Sequence, residues 1–326
     1  MLILVTGGAG YIGSHTCKAL AQANLTPLVL DNFSTGHRWA VQWGEVIPGD
    51  LADREGLQAV FQKYDIQAVI HCAASIEAGE SMHRPDKYFR NNFVNTLNLL
   101  EAMVASGVKT CIFSSTCAIY GEPQWLPLTE NHPQNPVNPY GESKRAIERA
   151  LHWFSHAYGL RYGALRYFNA AGADLDGRLG ECHDPETHLI PRILLSLLGG
   201  EPVPIFGTDY DTPDGTAVRD FIHVTDLANA HVRALDYVQN QQANLTVNLG
   251  TGRGYSVRQV IHTVEQVTGQ RVPVREMGRR PGDAPMLVAD VSLAKALFNW
   301  QPQYSDLPTI VETAWHWHRK TYAKVE

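Results

Sequence analysis

The sequence has no apolar run approaching the ~18 residues that a membrane-crossing helix requires, and its start enters a glycine-rich turn too early to form an export signal. Neither membrane insertion nor secretion is expected. It has no run of basic residues: 27 Lys and Arg stand against 33 Asp and Glu, a formal charge of −6, which argues against a sequence-independent grip on nucleic acid. Cysteine is scarce. The five (Cys17, Cys72, Cys111, Cys117, Cys182) are odd in number, lack CxxC spacing and in several cases sit in apolar or glycine-rich surroundings, so a reducing cytoplasm is the expected compartment. Internal repeats and low-complexity tracts are also missing. What remains is an ordinary globular mixture, 44% hydrophobic and 18% charged, whose 326 residues leave room for about two domains. The expected ligand is a small molecule.

Short β-branched apolar runs alternate with helical patterns through the first half: Leu2 to Val5, Pro27 to Leu30, Val46 to Pro48, Ala68 to His71, Thr110 to Ser114 and Arg161 to Tyr167. Between them, 11–23, 86–105 and 140–157 carry apolar residues at three- and four-residue spacing. This rhythm predicts an α/β fold, a doubly wound parallel sheet with helices on both faces, over residues 1–171. From Gly172 the composition shifts toward Gly, Asp, Pro and His, predicting a second, smaller α/β domain over 172–326. The helical pattern of Asp226 to Tyr237 and the strand-like Leu245 to Leu249 predict that the chain returns to the first sheet around 215–250.

Gly7-Gly8-Ala9-Gly10-Tyr11-Ile12-Gly13 follows the first strand and opens the first helix. Glycines at 7, 10 and 13 give a tight turn, close backbone approach to a pyrophosphate at the helix N-terminus, and close helix–strand packing. Asp31 ends the second strand, where a carboxylate accepts from ribose hydroxyls and repels a 2′-phosphate. Together they predict a Rossmann site for NAD rather than NADP. Asp50-Leu51 stands where it could meet the adenine edge, and Asp50 could equally cap a helix.

Tyr140-Gly141-Glu142-Ser143-Lys144 begins an amphipathic helix, and its Tyr and Lys, four residues apart, share one face. A nearby ammonium and a cationic nicotinamide would lower the phenol from its usual ~10 toward neutrality, making it a base. Ser114-Ser115-Thr116 ends a strand upstream, where a hydroxyl can share the substrate oxygen with the tyrosine. Alone, a Tyr-x3-Lys pair is a solvated helix face and a strand-end hydroxyl merely a cap. Their order after an NAD fingerprint favours catalysis by Tyr140, Lys144 and Thr116.

These residues resemble the extended short-chain dehydrogenase/reductase family, and within it the UDP-glucose 4-epimerases, over nearly the whole chain. The resemblance is carried by VTGGAGYIGSH (5–15), LDNFSTG (30–36), GES (79–81), IFSSTCAIYG (112–121), NPYGESK (138–144), LRYFNAAGA (165–173), PIFGTDYDTPDGTAVRDFIHVTDLANAH (204–231) and RRPGDAP (279–285). It implies reversible C4 epimerisation of UDP-glucose and UDP-galactose through a 4-keto sugar on tightly bound NAD, in a cytoplasmic homodimer. Tyr140 would be the base, Lys144 its partner and Thr116 the hydroxyl. Asp31, Asn32, Asp50, Leu51, Asn91 and Phe168 would contact the cofactor, and Asn169 the sugar diphosphate. Arg219 and Arg280 would hold the diphosphate, Asp283 the uridine ribose, and His188, Leu189, Ile205 and Phe206 the uridine pocket.

Arginine's planar fork suits a diphosphate, although Arg219 could instead pair with adjacent Asp220, and Arg280 could be a solvated charge beside Arg279. Two positions depart from the family pattern: Ile76 stands where some members have Lys, and Leu287 where many have Tyr or a smaller residue. The second leaves open an alternative substrate, UDP-N-acetylglucosamine or a UDP-pentose. A 4,6-dehydratase is disfavoured because Cys117-Ala118 replaces the acid–base pair that follows its strand-end hydroxyl. A hydroxysteroid-type dehydrogenase has no use for two diphosphate arginines, and a non-catalytic NAD-binding regulator has none for an intact Tyr140, Lys144 and Thr116. His152 with His156, and Cys182-His183-Asp184, lack further ligands by spacing, so no metal is expected.

Overall fold

The computed structural model describes residues 1–280 and 282–322; Pro281, inside the 279–285 motif, lies outside the described residues, as do 323–326. Six strands follow one another in the first half: β1 (Leu2–Thr6), β2 (Thr26–Asp31), β3 (Glu45–Pro48), β4 (Ile66–His71), β5 (Thr110–Thr116) and β6 (Arg161–Tyr167). Beyond them come β7 (Asn169–Ala171), β8 (Val203–Phe206), β9 (Val218–His223), β10 (Leu245–Leu249), β11 (Gly254–Ser256), β12 (Val274–Met277) and β13 (Met286–Leu287). Among the described residues, seven strands form one parallel sheet in the order β10-β6-β5-β4-β1-β2-β3. This is the doubly wound sheet the alternation predicts.

Its strands are apolar on both faces because helices cover both. One face packs Leu4, Leu28, Val69 and Phe113 against Leu57 and Phe61 of the helix Arg54–Lys63, Leu99 and Met103 of Asn95–Ala105, and Ile147 and Leu151 of Pro139–Tyr158. The other packs Ile3, Val5, Ile70 and Val247 against Cys17 and Leu20 of Tyr11–Gln22 and Leu227, Ala234 and Val238 of Val224–Gln241. Each fully buried aliphatic contributes roughly 1.5–3 kcal/mol of transfer free energy. The order of strands reverses between β1 and β4, and in such sheets ligands bind in the crevice beyond the C-terminal strand ends at the switch point.

The remaining strands stand apart. β9 pairs β11, β13 and β7, and β8 pairs β12; a third apolar cluster joins them to the helices Leu189–Leu197, Val257–Thr268 and Leu307–Tyr322. The helix expected over 86–105 is three pieces: Pro85–Tyr88, a π-helical stretch Phe89–Val94, and Asn95–Ala105. In the wider turn Asn92 is fully buried, accepting from the Ser75 amide at 2.8 Å and donating to the Ser75 carbonyl at 3.0 Å and to Ser143 Oγ at 3.1 Å.

Candidate active site

The first helix starts at Gly10, which offers no side-chain cap, and has no acidic residue in its first turn. Its N-terminal amides and dipole are left for an anion. A Cβ on Gly13 would meet the Gly7 carbonyl oxygen at 2.1 Å, so packing alone demands glycine there. At Gly10 a Cβ would meet only the same oxygen, at 3.3 Å. That contact is tight but no outright clash, so packing excludes a side chain at 10 less firmly than at 13, and a pyrophosphate lying on the turn would exclude it further. Tyr11 donates its hydroxyl to the Gly172 carbonyl at 2.6 Å, tying the loop to the second half, and Ile12 packs into the core.

Asp31, at the end of β2, accepts from the Ala9 amide at 2.9 Å and the Phe33 amide at 2.8 Å, so its carboxylate braces the glycine turn and keeps lone pairs for further donors. Asp50 accepts from Asn32 Nδ2 at 2.7 Å and from the Ala52 amide at 2.8 Å. It is no helix cap, since that role falls to Asp53, whose side chain accepts from Gly56. Leu51 is buried in the core, and Asn91 donates to Ser75 Oγ at 3.1 Å. The glycine turn, Asp31 and Asp50-Leu51 follow the C-terminal ends of β1, β2 and β3, with Asn91 on the π-helical stretch, an arrangement that fits a dinucleotide.

The helix Pro139–Tyr158 is set by its ends. Asn138 accepts from the Gly141 amide at 2.8 Å, Pro139 occupies the first turn, and Gly159 closes it in the left-handed conformation at φ 66°. Starting there places Tyr140 and Lys144 against the end of β5. Lys144 is buried, with its ammonium donating to the Ser114 carbonyl at 2.8 Å and lying 4.8 Å from the Phe113 ring centre. Burial lowers it to about 8, against the opposing pull of Cys72 and Glu148. Its remaining N–H bonds suit ribose hydroxyls.

Tyr140 is buried too, and burial pushes its phenol up to about 12, with the neighbouring Thr116 hydroxyl pulling the other way. Lys144 is not among the groups that pull the phenol down, so the lowering expected from the ammonium and the cationic nicotinamide together is not produced by the chain's own groups. Thr116 accepts from the Ala118 amide at 3.1 Å, capping a short turn, and so keeps its own proton to donate. Ser115 between them donates to Glu148 Oε1 at 2.5 Å. Glu148, one turn beyond Lys144, receives Arg166 through three bonds, from Nε at 3.0 and 3.2 Å and from Nη2 at 2.6 Å, both partners being buried. Sequence reasoning passed over this pair. His231, held neutral by burial at about 4, bridges Ser114 Oγ and the Leu227 carbonyl.

A second group of charges comes from the other half. Arg219 does not pair with Asp220, which is fully buried and accepts from Thr251, Gly252 and Ala289. Instead Arg219 lies 3.8 Å from Asp283 Oδ1, and Arg280 donates to Asp283 Oδ2 at 2.9 Å while covering the Phe206 ring at 4.6 Å. Burial weakens the hold of Arg219 on its proton, and Asp283 restores part of it. Tyr210, not singled out in the sequence, has a buried hydroxyl without a partner, and burial and the Asp283 carboxylate push it up against the opposing pull of Arg219, Arg279 and Arg280. Such an orphan fits a bound oxygen-rich ligand.

Phe168 is buried against Ile119, Tyr120, Leu128 and the partly buried Leu287, and Asn169 donates to the Asp220 carbonyl at 2.9 Å. Ile205 lies in the core, leaving Phe206 as the accessible member of that pair. His188 precedes the helix Leu189–Leu197 and contacts Glu181 Oε1 at 2.5 Å.

Comparison with known proteins agrees with this geometry. Residues 3–250 match the model of the NAD dependent epimerase/dehydratase family. The chain is 49% identical over 320 residues to a UDP-glucose 4-epimerase of Rhizobium leguminosarum bv. trifolii, covering 98% of each, and 48% identical to that of Halalkalibacterium halodurans, covering 98% of this chain and 96% of the relative. The structure of UDP-glucose 4-epimerase from Brucella ovis in complex with NAD superposes with a TM-score of 0.95 at 51% identity, over 97% of this chain and 98% of that one. That from Bifidobacterium longum in complex with NAD+ and UDP gives 0.94 at 36% identity, over 98% of both. Strand order, glycine turn, Tyr-x3-Lys helix and full-length similarity together place the chain in the NAD dependent epimerase/dehydratase family, among its UDP-glucose 4-epimerases.

Proposed function

We propose that this protein interconverts UDP-glucose and UDP-galactose at C4 through a 4-keto sugar, with NAD retained between turnovers. The observation that carries this reading is the pairing of Tyr140 with the proton-donating Thr116 at the end of β5, next to a glycine turn shaped for a dinucleotide and a two-arginine cluster suited to a diphosphate. Bound NAD supplies a hydride acceptor at C4 and the positive charge that opposes the burial of the Tyr140 phenolate.

Tyr140 takes the C4 hydroxyl proton and later returns it, and Thr116 hydrogen-bonds the same oxygen. Lys144, fixed by the Ser114 carbonyl, orients the cofactor ribose. Arg219 and Arg280 clamp the diphosphate, Asp283 the uridine ribose, and His188, Leu189 and Phe206 the base. One tyrosine and one cofactor face must serve both directions, so inversion requires the keto sugar to present its other face while the nucleotide stays held. Strong groups for UDP and few for the hexose are what that demands.

The cofactor part spans 1–171 with a return around 215–250, and the UDP-sugar part the rest of 172–326; the parallel pairing of β10 with β6 supports the return. A cytoplasmic homodimer completes the reading. Exposed Phe89, Val94 and Trp153 on neighbouring helices offer it an apolar face, and no helix among the described residues is long and apolar enough to cross a membrane. The Tyr140→Phe variant tests the mechanism. It should keep NAD and UDP binding while turnover falls at least ~100-fold, the general acid–base contribution. Turnover near that of the unaltered protein would remove Tyr140 from the chemistry.

A further inference from the structure

The sequence reading finds no ligand set around His183, yet folding gathers four groups there. Glu181, His183, Glu186 and His188, spaced Glu-x-His-x2-Glu-x-His, bring one donor atom each to within 4.8 Å of one another. Cys182 and Asp184, the neighbours that looked like ligands in the sequence, are not in the group. Glu181 Oε1 lies 2.5 Å from His188 Nδ1 and 3.1 Å from His183 Nδ1, and the Glu186 oxygens lie 3.6 and 3.7 Å from the same two nitrogens. Four ligands at the ~2.0–2.2 Å of zinc–nitrogen and zinc–carboxylate bonds stand about 3.3–3.6 Å apart along the edges of a tetrahedron. These separations straddle that value.

Two further observations point the same way. His183 Nδ1 is buried and makes no hydrogen bond, although Glu181 Oε1 is close, so its in-plane direction is not spent on that oxygen. The Glu186 carboxylate is held from outside, the amides of Thr187 and His188 donating to its Oε1 at 2.8 and 2.9 Å, and the Glu181 backbone is fixed by Trp317 Nε1, which donates to its main-chain carbonyl at 2.9 Å. Outer bonds of this sort orient metal ligands.

We propose that Glu181, His183, Glu186 and His188 form a binding site for one divalent transition-metal ion of the zinc class. Two imidazoles and two carboxylates suit zinc, whereas magnesium and calcium prefer shells of six or more oxygens. The carboxylates cancel the charge of the dication, and four protein ligands leave no open position. The site is therefore structural, pinning residues 181–188 just ahead of the helix Leu189–Leu197, and because His188 takes part through Nδ1 its Nε2 is not used by the metal and is left to the uridine pocket. The inference does not rest on the epimerase reading, since metal content is measured whether or not the protein turns over.

The test uses the full-length, NAD-containing protein dialysed into metal-free buffer and assayed for zinc by mass spectrometry. About one zinc per chain is expected or, in chelator-treated protein, uptake of about one on adding zinc chloride, with a higher Tm that magnesium chloride does not reproduce. Cobalt added in place of zinc should give the intense visible absorption of a tetrahedral site. His183→Ala and Glu186→Gln should each lower zinc affinity at least ~10-fold. Protein that neither contains zinc nor takes it up overturns the proposal, as does undiminished zinc in both variants when circular dichroism shows them folded. Should the variants fail to fold, the zinc and cobalt measurements on the unaltered chain decide alone.

Discussion

At the scale of single residues, the sequence carries side-chain types and spacing, and neighbours in space decide what those groups do. Lys144 is the clearest case. Its i,i+4 relation to Tyr140 was legible, but its burial and its bond to the Ser114 carbonyl were not. The burial makes a prediction for the protein freed of NAD. Lysine titrates near 10.5 when unfolded and about 8 here, so between these values the unfolded chain holds a proton that the folded chain has released. Stability should rise with pH through that window, with a contribution from this group of up to about 1.4 kcal/mol per pH unit, and the penalty should be complete below pH 8. Urea unfolding across the window should show this contribution disappear in Lys144→Met. An unchanged difference between the two proteins across the window would mean that the ammonium is not desolvated.

Pairing was the other thing hidden at this scale. Arg219 and Asp220 are adjacent in sequence, which suggests an ion pair, but successive residues of a strand point to opposite faces. Asp220 goes inward to backbone donors, and Arg219 turns toward Asp283, 64 positions away in the chain. Tyr210 left no signal, since a buried hydroxyl without a partner is defined only by the packing around it.

Among the elements, the helix Pro139–Tyr158 was readable because its ends carry chemical marks, Asn138-Pro139 at one and Gly159 at the other. The stretch 86–105 was not, because the side-chain pattern of a π-helical turn scarcely differs from that of an α-helix. Beside the apolar packing of Ile147 and Leu151, the catalytic helix is tied to the sheet by the Glu148–Arg166 pair, with Ser115 on the same carboxylate. Removing one partner of a buried pair strands the other charge, at a cost of roughly 3–5 kcal/mol. Glu148→Ala should therefore lower the stability measured by urea unfolding by that amount, and replacing Arg166 as well, by Met, should recover part of it. A loss below ~1 kcal/mol in the single variant would show that the pair is solvated and does not anchor the helix.

For the molecule as a whole, the parallel sheet was legible from alternating β-branched and amphipathic segments, and so was the return of Leu245 to Leu249, which pairs with β6. The second half was less so. Its strands are two to six residues long and pair across large sequence separations, as β7, β11 and β13 all do with β9, leaving too little periodicity to read. The Glu181–His188 cluster belongs to that half and appeared only with the fold. In the proposed reaction a sugar whose nucleotide the second half holds would exchange a proton with Tyr140 and a hydride with the NAD bound by the first half. The most direct measurement is to incubate the purified protein with UDP-galactose, with no NAD added, and follow the sugar protons by NMR. UDP-glucose should accumulate to a fixed equilibrium ratio, reached equally from UDP-glucose. Folded protein shown by its absorbance to carry NAD, yet leaving UDP-galactose unchanged, would contradict the proposed reaction.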